Sequence, residues 1–141
     1  MSRICWDSML FLYLLEANPQ FAARTEHLLG RSHRRGDKLY TTCLAAGEVL
    51  AGAANSPDAS KTAQLRNAIA EMGFQLLPFD EGAIEIFGIL RAKKKLKIAD
   101  AVNLACAASA GIDLFLTGDQ QLFGIDVPGV QFIADFNSSI L

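Results

Sequence analysis

Fifteen acidic residues occur in this 141-residue chain, and four of them stand where solvation alone does not explain them. Asp7 follows the apolar, β-prone run Arg3-Ile4-Cys5-Trp6, and Asp119 follows the similar run Leu114 to Thr117. Glu48 lies inside a stretch of small and apolar residues, Thr42 to Ala51, and Asp100 opens another, Ala101 to Ala107. Acids at the carboxyl ends of parallel strands face one crevice, because that is where such sheets gather ligands. A carboxylate near a low-dielectric core is costly unless it is paired or binds a metal. Several of them converging without Arg or Lys partners repel one another and raise their pKa values. A divalent cation removes the conflict, and Mg²⁺ or Mn²⁺, which prefer oxygen ligands and keep several waters, suit a sparse acidic cluster. One such ion can orient and activate water while a second stabilises a leaving oxygen, which is chemistry suited to a phosphodiester.

Each acid also has a local alternative to weigh. Asp7 or Ser8 can cap the helix that follows, Asp100 can cap its own, and Asp119 can cap the turn Gln120-Gln121-Leu122-Phe123. Glu48, an acid in mid-helix among alanines, has no such local task. The coincidence of all four on a single crevice carries the reading.

The elements that must position these acids alternate along the chain. Arg3 to Trp6 reads as a strand, Ser8 to Glu16 as a helix closed before Asn18-Pro19, and Gln20 to Arg35 as a helix stopped by Gly36. Lys38 to Thr42 is β-prone, Cys43 to Ala54 is a helix of small residues, and Asn55 to Asp58 is a turn leading into a helix over Ala59 to Glu71. Phe74 to Phe79 reads as a buried strand, and Asp80 begins a helix ending near Lys93. Asp100 to Ser109 reads as a helix, Leu114 to Thr117 as a strand, and Val130 to Ile133 as the last strand. Strands separated by helices predict a three-layer α/β/α fold around a mainly parallel sheet of four to five strands.

The bulk numbers narrow the possibilities. The length fits a single domain over residues 1–141, and 51% hydrophobic residues is enough for a real core. A net charge of −2 gives no global pull toward nucleic acid, so any nucleic-acid chemistry must rest on local charge. The three cysteines Cys5, Cys43 and Cys106 form no C-x-x-C pair and read as small buried thiols of a reducing compartment. His27 and His33 share no ligand spacing with them. The greasy run from Ile4 to Leu15 is interrupted by Asp7 and is too short to cross a bilayer, so the expected location is cytoplasmic, with no membrane partner.

The acids and their surroundings resemble a known family. Ile4-Cys5-Trp6-Asp7-Ser8 ahead of an apolar helix is similar to the opening of PIN domains, and Thr41 to Leu50 to their second block. Lys97-Ile98-Ala99-Asp100-Ala101-Val102-Asn103-Leu104-Ala105 closely resembles the third block, and Leu114-Phe115-Leu116-Thr117-Gly118-Asp119 the fourth. In length the chain is most similar to the VapC toxins of toxin–antitoxin pairs. The resemblance implies a PIN fold with strand order 3-2-1-4-5 and Mg²⁺- or Mn²⁺-dependent RNA endonuclease activity. It also implies a homodimer held inactive by a cognate antitoxin, a peptide segment of which fills a groove near the active site. Asp7, Glu48, Asp100 and Asp119 carry over as catalytic and metal-binding acids, with Thr117 and Ser8 orienting them through their hydroxyls. Two positions depart from the pattern: Met9 stands where many relatives have a polar residue, and Gly118 where asparagine is common.

Ten of the thirteen Lys and Arg fall in two stretches. Arg24, Arg31, Arg34, Arg35 and Lys38 form one; Arg91, Lys93, Lys94, Lys95 and Lys97 form the other, just before Asp100. The second is the candidate for holding RNA phosphates, against the alternative of a solvated helix end. Phe11, Tyr13 and Phe123 read first as core residues and only second as surfaces on which bases could stack. A competing function is a PIN-like RNA- or protein-binding module without catalysis. A phosphoacceptor receiver domain is disfavoured, since it needs an acidic pair after the first strand and a lysine after the last. Asp7 stands alone, and no Lys follows Asp100.

Overall fold

A computed structural model describes residues 1–138 and 141. Five parallel strands form one sheet: β1 (Arg3–Trp6), β2 (Lys38–Thr42), β3 (Phe74–Leu77), β4 (Leu114–Thr117) and β5 (Phe132–Asp135), in the order β3-β2-β1-β4-β5. Six helices connect them: α1 (Ser8–Leu15), α2 (Ala22–Arg35), α3 (Cys43–Ala54), α4 (Lys61–Glu71), α5 (Glu81–Ala92) and α6 (Ile98–Ser109). This is the α/β architecture that the alternation of elements predicts, with five strands and all of them parallel.

The central strands β1, β2 and β4 are buried on both faces, and their side chains sort with a period of two. Cys5, Tyr40 and Phe115 pack into a core with α5 and α6. Ile4, Trp6, Leu39 and Leu116 pack into a second core with residues of α1, α2, α3 and α4. The second is built around Trp6, Phe11 and Phe74, whose ring centroids lie 4.7–5.2 Å apart. Phe11 is therefore a core residue and not a base-stacking surface, and Tyr13 is packed against Phe21 and Phe136. Phe123 is half-buried.

Parallel pairing brings the end of each central strand to the same edge. Trp6 is level with Thr41 and with Leu116, and Thr117 with Asp135. Helices return the chain to the opposite edge, where Gly36 (φ 70°) ends α2 in the left-handed conformation that glycine adopts freely.

Several boundaries differ from the sequence reading. β5 lies two residues later than expected, because Val130 is a core residue on the approach to the strand. β3 stops at Leu77, since Pro78 has no N–H to continue the ladder. α6 starts at Ile98, which places Asp100 in its first turn and makes Lys97, not Asp100, the cap residue. Cys43 is exposed, unlike Cys5 and Cys106, which are buried as expected.

Candidate active site

Asp7 is the most buried of the four acids. It follows β1, caps α1, and is only 8% exposed. Its Oδ1 accepts the Ser8 N–H at 2.7 Å and its Oδ2 accepts the Thr117 hydroxyl at 2.7 Å. The Thr117 oxygen in turn accepts the Asp119 N–H at 3.1 Å. One buried hydroxyl at the end of β4 therefore ties two acids from different parts of the chain. Asp7 thus caps the helix, the local alternative weighed for it, and its carboxylate lies just past the end of β1.

Asp119 likewise caps the short 3-10 turn Gln120–Leu122 by accepting the Gln121 N–H at 3.0 Å. Asp100 is half-buried in the first turn of α6, where the helix dipole favours negative charge. Glu48 differs from expectation. The buried residues of α3 are Ala45, Ala46, Val49 and Ala53, and Glu48 lies on the exposed side of the helix. Its surroundings in sequence are apolar, but helical geometry places it on the outer side of α3 and not in the core, within reach of the charges of Asp7 and Asp100.

The four acids lie within one another's fields. Burial raises the Asp7 carboxyl above the usual carboxylate range; hydrogen bonds from Thr117 and Ser8 partly oppose this, and the Asp119 charge adds to it. Glu48 is raised by partial burial and then by the charges of Asp7 and Asp100. Asp100 is raised by partial burial and by Asp119 and Asp7, against a lowering by Lys97. Among the described residues the one side-chain ion pair is Arg35 with Asp37, so none of the four acids is neutralised by a direct cation.

For a dication the donor set fits: hard oxygen ligands, mutually repelling and without salt-bridge partners. Among the described residues no three His, Cys, Asp or Glu side chains are grouped so as to hold an ion by themselves. Mg²⁺ is commonly held by one or two carboxylates and its own waters, and needs no closer cage.

The two basic stretches separate in space. α2 ends beside the start of β1 and β2, where Asp37 accepts the Ser2 N–H and pairs with Arg35, at the sheet edge opposite the acids. Arg24 is occupied with the carbonyls of Phe136 and Ser138. The second stretch leads directly into α6. Lys93, Lys94, Lys95 and Lys97 are exposed there, and Lys97 acts on Asp100. Arg91 instead donates to the Leu96 carbonyl at 2.8 Å and braces the loop.

Sequence reasoning did not single out Thr42 and Asn103, a buried pair joined by a 2.5 Å hydrogen bond between the start of α3 and the middle of α6. The available signal was an amide inside an otherwise apolar helical run.

Comparison with known proteins agrees with the fold. No curated protein matches the chain. Among solved structures, DNA-bound VapBC from Salmonella typhimurium is similar with a TM-score of 0.74 at 16% identity, covering 96% of this chain and 99% of that one. VapBC2 from Rickettsia felis, bound to a promoter DNA fragment, gives 0.71 at 12% identity over 94% and 97%. VapC20 of Mycobacterium tuberculosis, described as a sarcin-ricin loop cleaving toxin, gives 0.59 at 11% identity over 79% and 86%. At these identities the likeness is one of fold. The PIN domain family model matches residues 4–127, most of the chain, and the chain belongs to the PIN-domain family.

Proposed function

We propose that this chain is a divalent-metal-dependent endoribonuclease acting as the toxin of a toxin–antitoxin pair. The observation that carries the reading is a set of four acids without a salt-bridge partner, Asp7, Glu48, Asp100 and Asp119, coupled to one another through charge. Similar folds in toxin–antitoxin complexes support the biological setting.

Asp7, Glu48, Asp100 and Asp119 would hold Mg²⁺ or Mn²⁺. A bound ion supplies charge stabilisation for the phosphodiester and lowers the pKa of attacking water. Thr117 holds the Asp7 carboxylate in a fixed rotamer, so its outward lone pairs need no reorganisation when substrate arrives. Lys93, Lys94, Lys95 and Lys97 position the RNA backbone through its phosphates without reading sequence. Arg91 belongs to this group only indirectly, through the loop it braces. A homodimer, a cognate antitoxin and a cytoplasmic location complete the reading; among the described residues no helix is long and apolar enough to cross a membrane.

The second reading is an RNA- or protein-binding module without catalysis. One experiment separates the two. Purified protein is incubated with RNA and Mg²⁺ or Mn²⁺, beside Asp7→Asn and Asp100→Asn. Cleavage by the wild type and its loss in both folded variants supports the ribonuclease; full activity in both variants removes the site assignment.

A further inference from the structure

We propose that Asn103 is a positioning residue for the acidic crevice, fixing α3 against α6 through Thr42 and thereby setting the separation of Glu48 and Asp100. This rests on the metal-dependent ribonuclease reading above.

Asn103 lies three residues beyond Asp100 on α6, hence on the same face of the helix. It is 4% exposed, and its neighbours Ala101, Leu104 and Ala105 are fully buried. A primary amide in such a place is destabilising unless bonded. Its Oδ1 accepts the Thr42 hydroxyl at 2.5 Å. Thr42 is fully buried, and its oxygen accepts the Ala45 N–H at 2.9 Å, which caps α3. Ala45 is in turn three residues before Glu48. A single hydroxyl therefore connects the end of β2, the first turn of the helix bearing Glu48, and the helix bearing Asp100.

No other side-chain hydrogen bond joins α3 or its cap to α6 among the described residues. The packing between these helices gives little help with register. α3 carries five alanines and two glycines, and such short side chains make shallow ridges. Glu48 and Asp100 act on each other through charge, and charge alone drives them apart. The Thr42–Asn103 bond is the directional contact that opposes this. Groups hydrogen-bonded directly to metal ligands typically matter by about 10–100-fold in metal affinity or activity. Asn103 and Thr42 bond none of the four acids and act through the helices that carry them, so their effect is smaller.

The test compares wild type, Asn103→Ala, Thr42→Val and Thr42→Ser. Mn²⁺ affinity is measured by calorimetry, RNA affinity in EDTA, and cleavage with Mn²⁺. Asn103→Ala and Thr42→Val should each weaken Mn²⁺ binding and slow cleavage several-fold, with RNA affinity in EDTA unchanged. Thr42→Ser, which keeps the hydroxyl, should stay close to wild type. Folded variants with wild-type Mn²⁺ affinity overturn the proposal, even if their melting temperature is lower. If Asn103→Ala melts below the assay temperature, Asn103→Leu, which fills the volume without an acceptor, takes its place under the same criterion. A wild type that binds Mn²⁺ but cuts no RNA sinks the ribonuclease reading and leaves the affinity comparison to decide on Asn103. A wild type that binds no Mn²⁺ overturns both.

Discussion

The thioether of Met9 accepts the Gly118 N–H at 3.2 Å, and a Cβ added at position 118 would lie 2.7 Å from the same sulfur. The two positions that depart from the PIN pattern therefore touch each other. Met9, in the first turn of α1, occupies the space that a side chain at 118 would need and supplies an acceptor, though a weak one, for its backbone.

Restoring asparagine at 118 alone should therefore destabilise the protein. The Met9 side chain can swing away, but Phe136, whose ring would be 3.0 Å from the new Cβ, is buried and packed. Overpacking of this kind costs about 1–3 kcal/mol. Gly118→Asn should lower the melting temperature accordingly, and Met9→Ala in the same chain should recover part of the loss. Strict additivity of the two changes in thermal melts would show that the sites are not coupled.

The acids make stability depend on pH in a definite direction. Asp7, Glu48 and Asp100 all have carboxyls raised by burial first and by neighbouring acids after it. The folded protein thus retains protons that the unfolded chain, with carboxyl pKa values of about 4, has released. Stability from this source is complete below that value and is lost as pH rises through the raised folded values. Asp58, held low by Ser60, acts oppositely but lies at the exposed surface. In EDTA the melting temperature should fall as pH rises above the unfolded carboxyl value of about 4, and Mn²⁺ should restore it at neutral pH. Asp7→Asn should melt higher than wild type in EDTA at pH 7 while failing to cut RNA. A lower melting point for that variant would show that the hydrogen bonds the carboxylate accepts from Ser8 and Thr117 outweigh its burial and repulsion.

Thr117→Val removes the hydroxyl shared by Asp7 and Asp119. Asp7 Oδ2 then loses its donor in a buried place, at a cost of about 1–3 kcal/mol. With one stabilising hydrogen bond gone, the Asp7 carboxyl rises further. The acidic limb of the cleavage pH profile should therefore shift to higher pH, and Thr117→Ser should return it. An unshifted profile would mean that Thr117 acts only in packing.

Much of this arrangement was legible in the sequence because strands buried on two faces leave an unmistakable pattern. Arg3–Trp6 and Leu114–Thr117 are apolar runs that stop just before an acid, and parallel pairing brings such ends together. Less legible was anything decided by helical rotation or by contact across the fold. Glu48 looked buried because its sequence neighbours are apolar, yet a turn of α3 carries it to the outside. The Met9–Gly118 contact spans 109 residues, and Thr42–Asn103 spans 61, so no local pattern announces either. The division of the basic residues between two sheet edges was also hidden, since it depends on which way each helix runs.

That division yields the last expectation. The exposed Lys93, Lys94, Lys95 and Lys97 precede the helix carrying Asp100, whereas Arg35 sits at the opposite edge in an ion pair with Asp37. Each phosphate neutralised on single-stranded RNA contributes about 0.7 to the slope of log affinity against log salt. Replacing Lys94 and Lys97 with alanine should weaken RNA binding and reduce that slope by about 0.7 for each phosphate no longer neutralised. Arg31→Ala with Arg34→Ala, on the last turns of α2, should leave both unchanged. Arg91→Ala should lower the melting temperature, by removing the bond to the Leu96 carbonyl, more than it lowers RNA affinity. Binding titrations at several salt concentrations, with thermal melts for Arg91→Ala, read all three outcomes. Equal losses from the lysine pair and the α2 arginines would place the RNA path elsewhere, because a phosphate track beside the acids cannot also run along the far edge of the sheet.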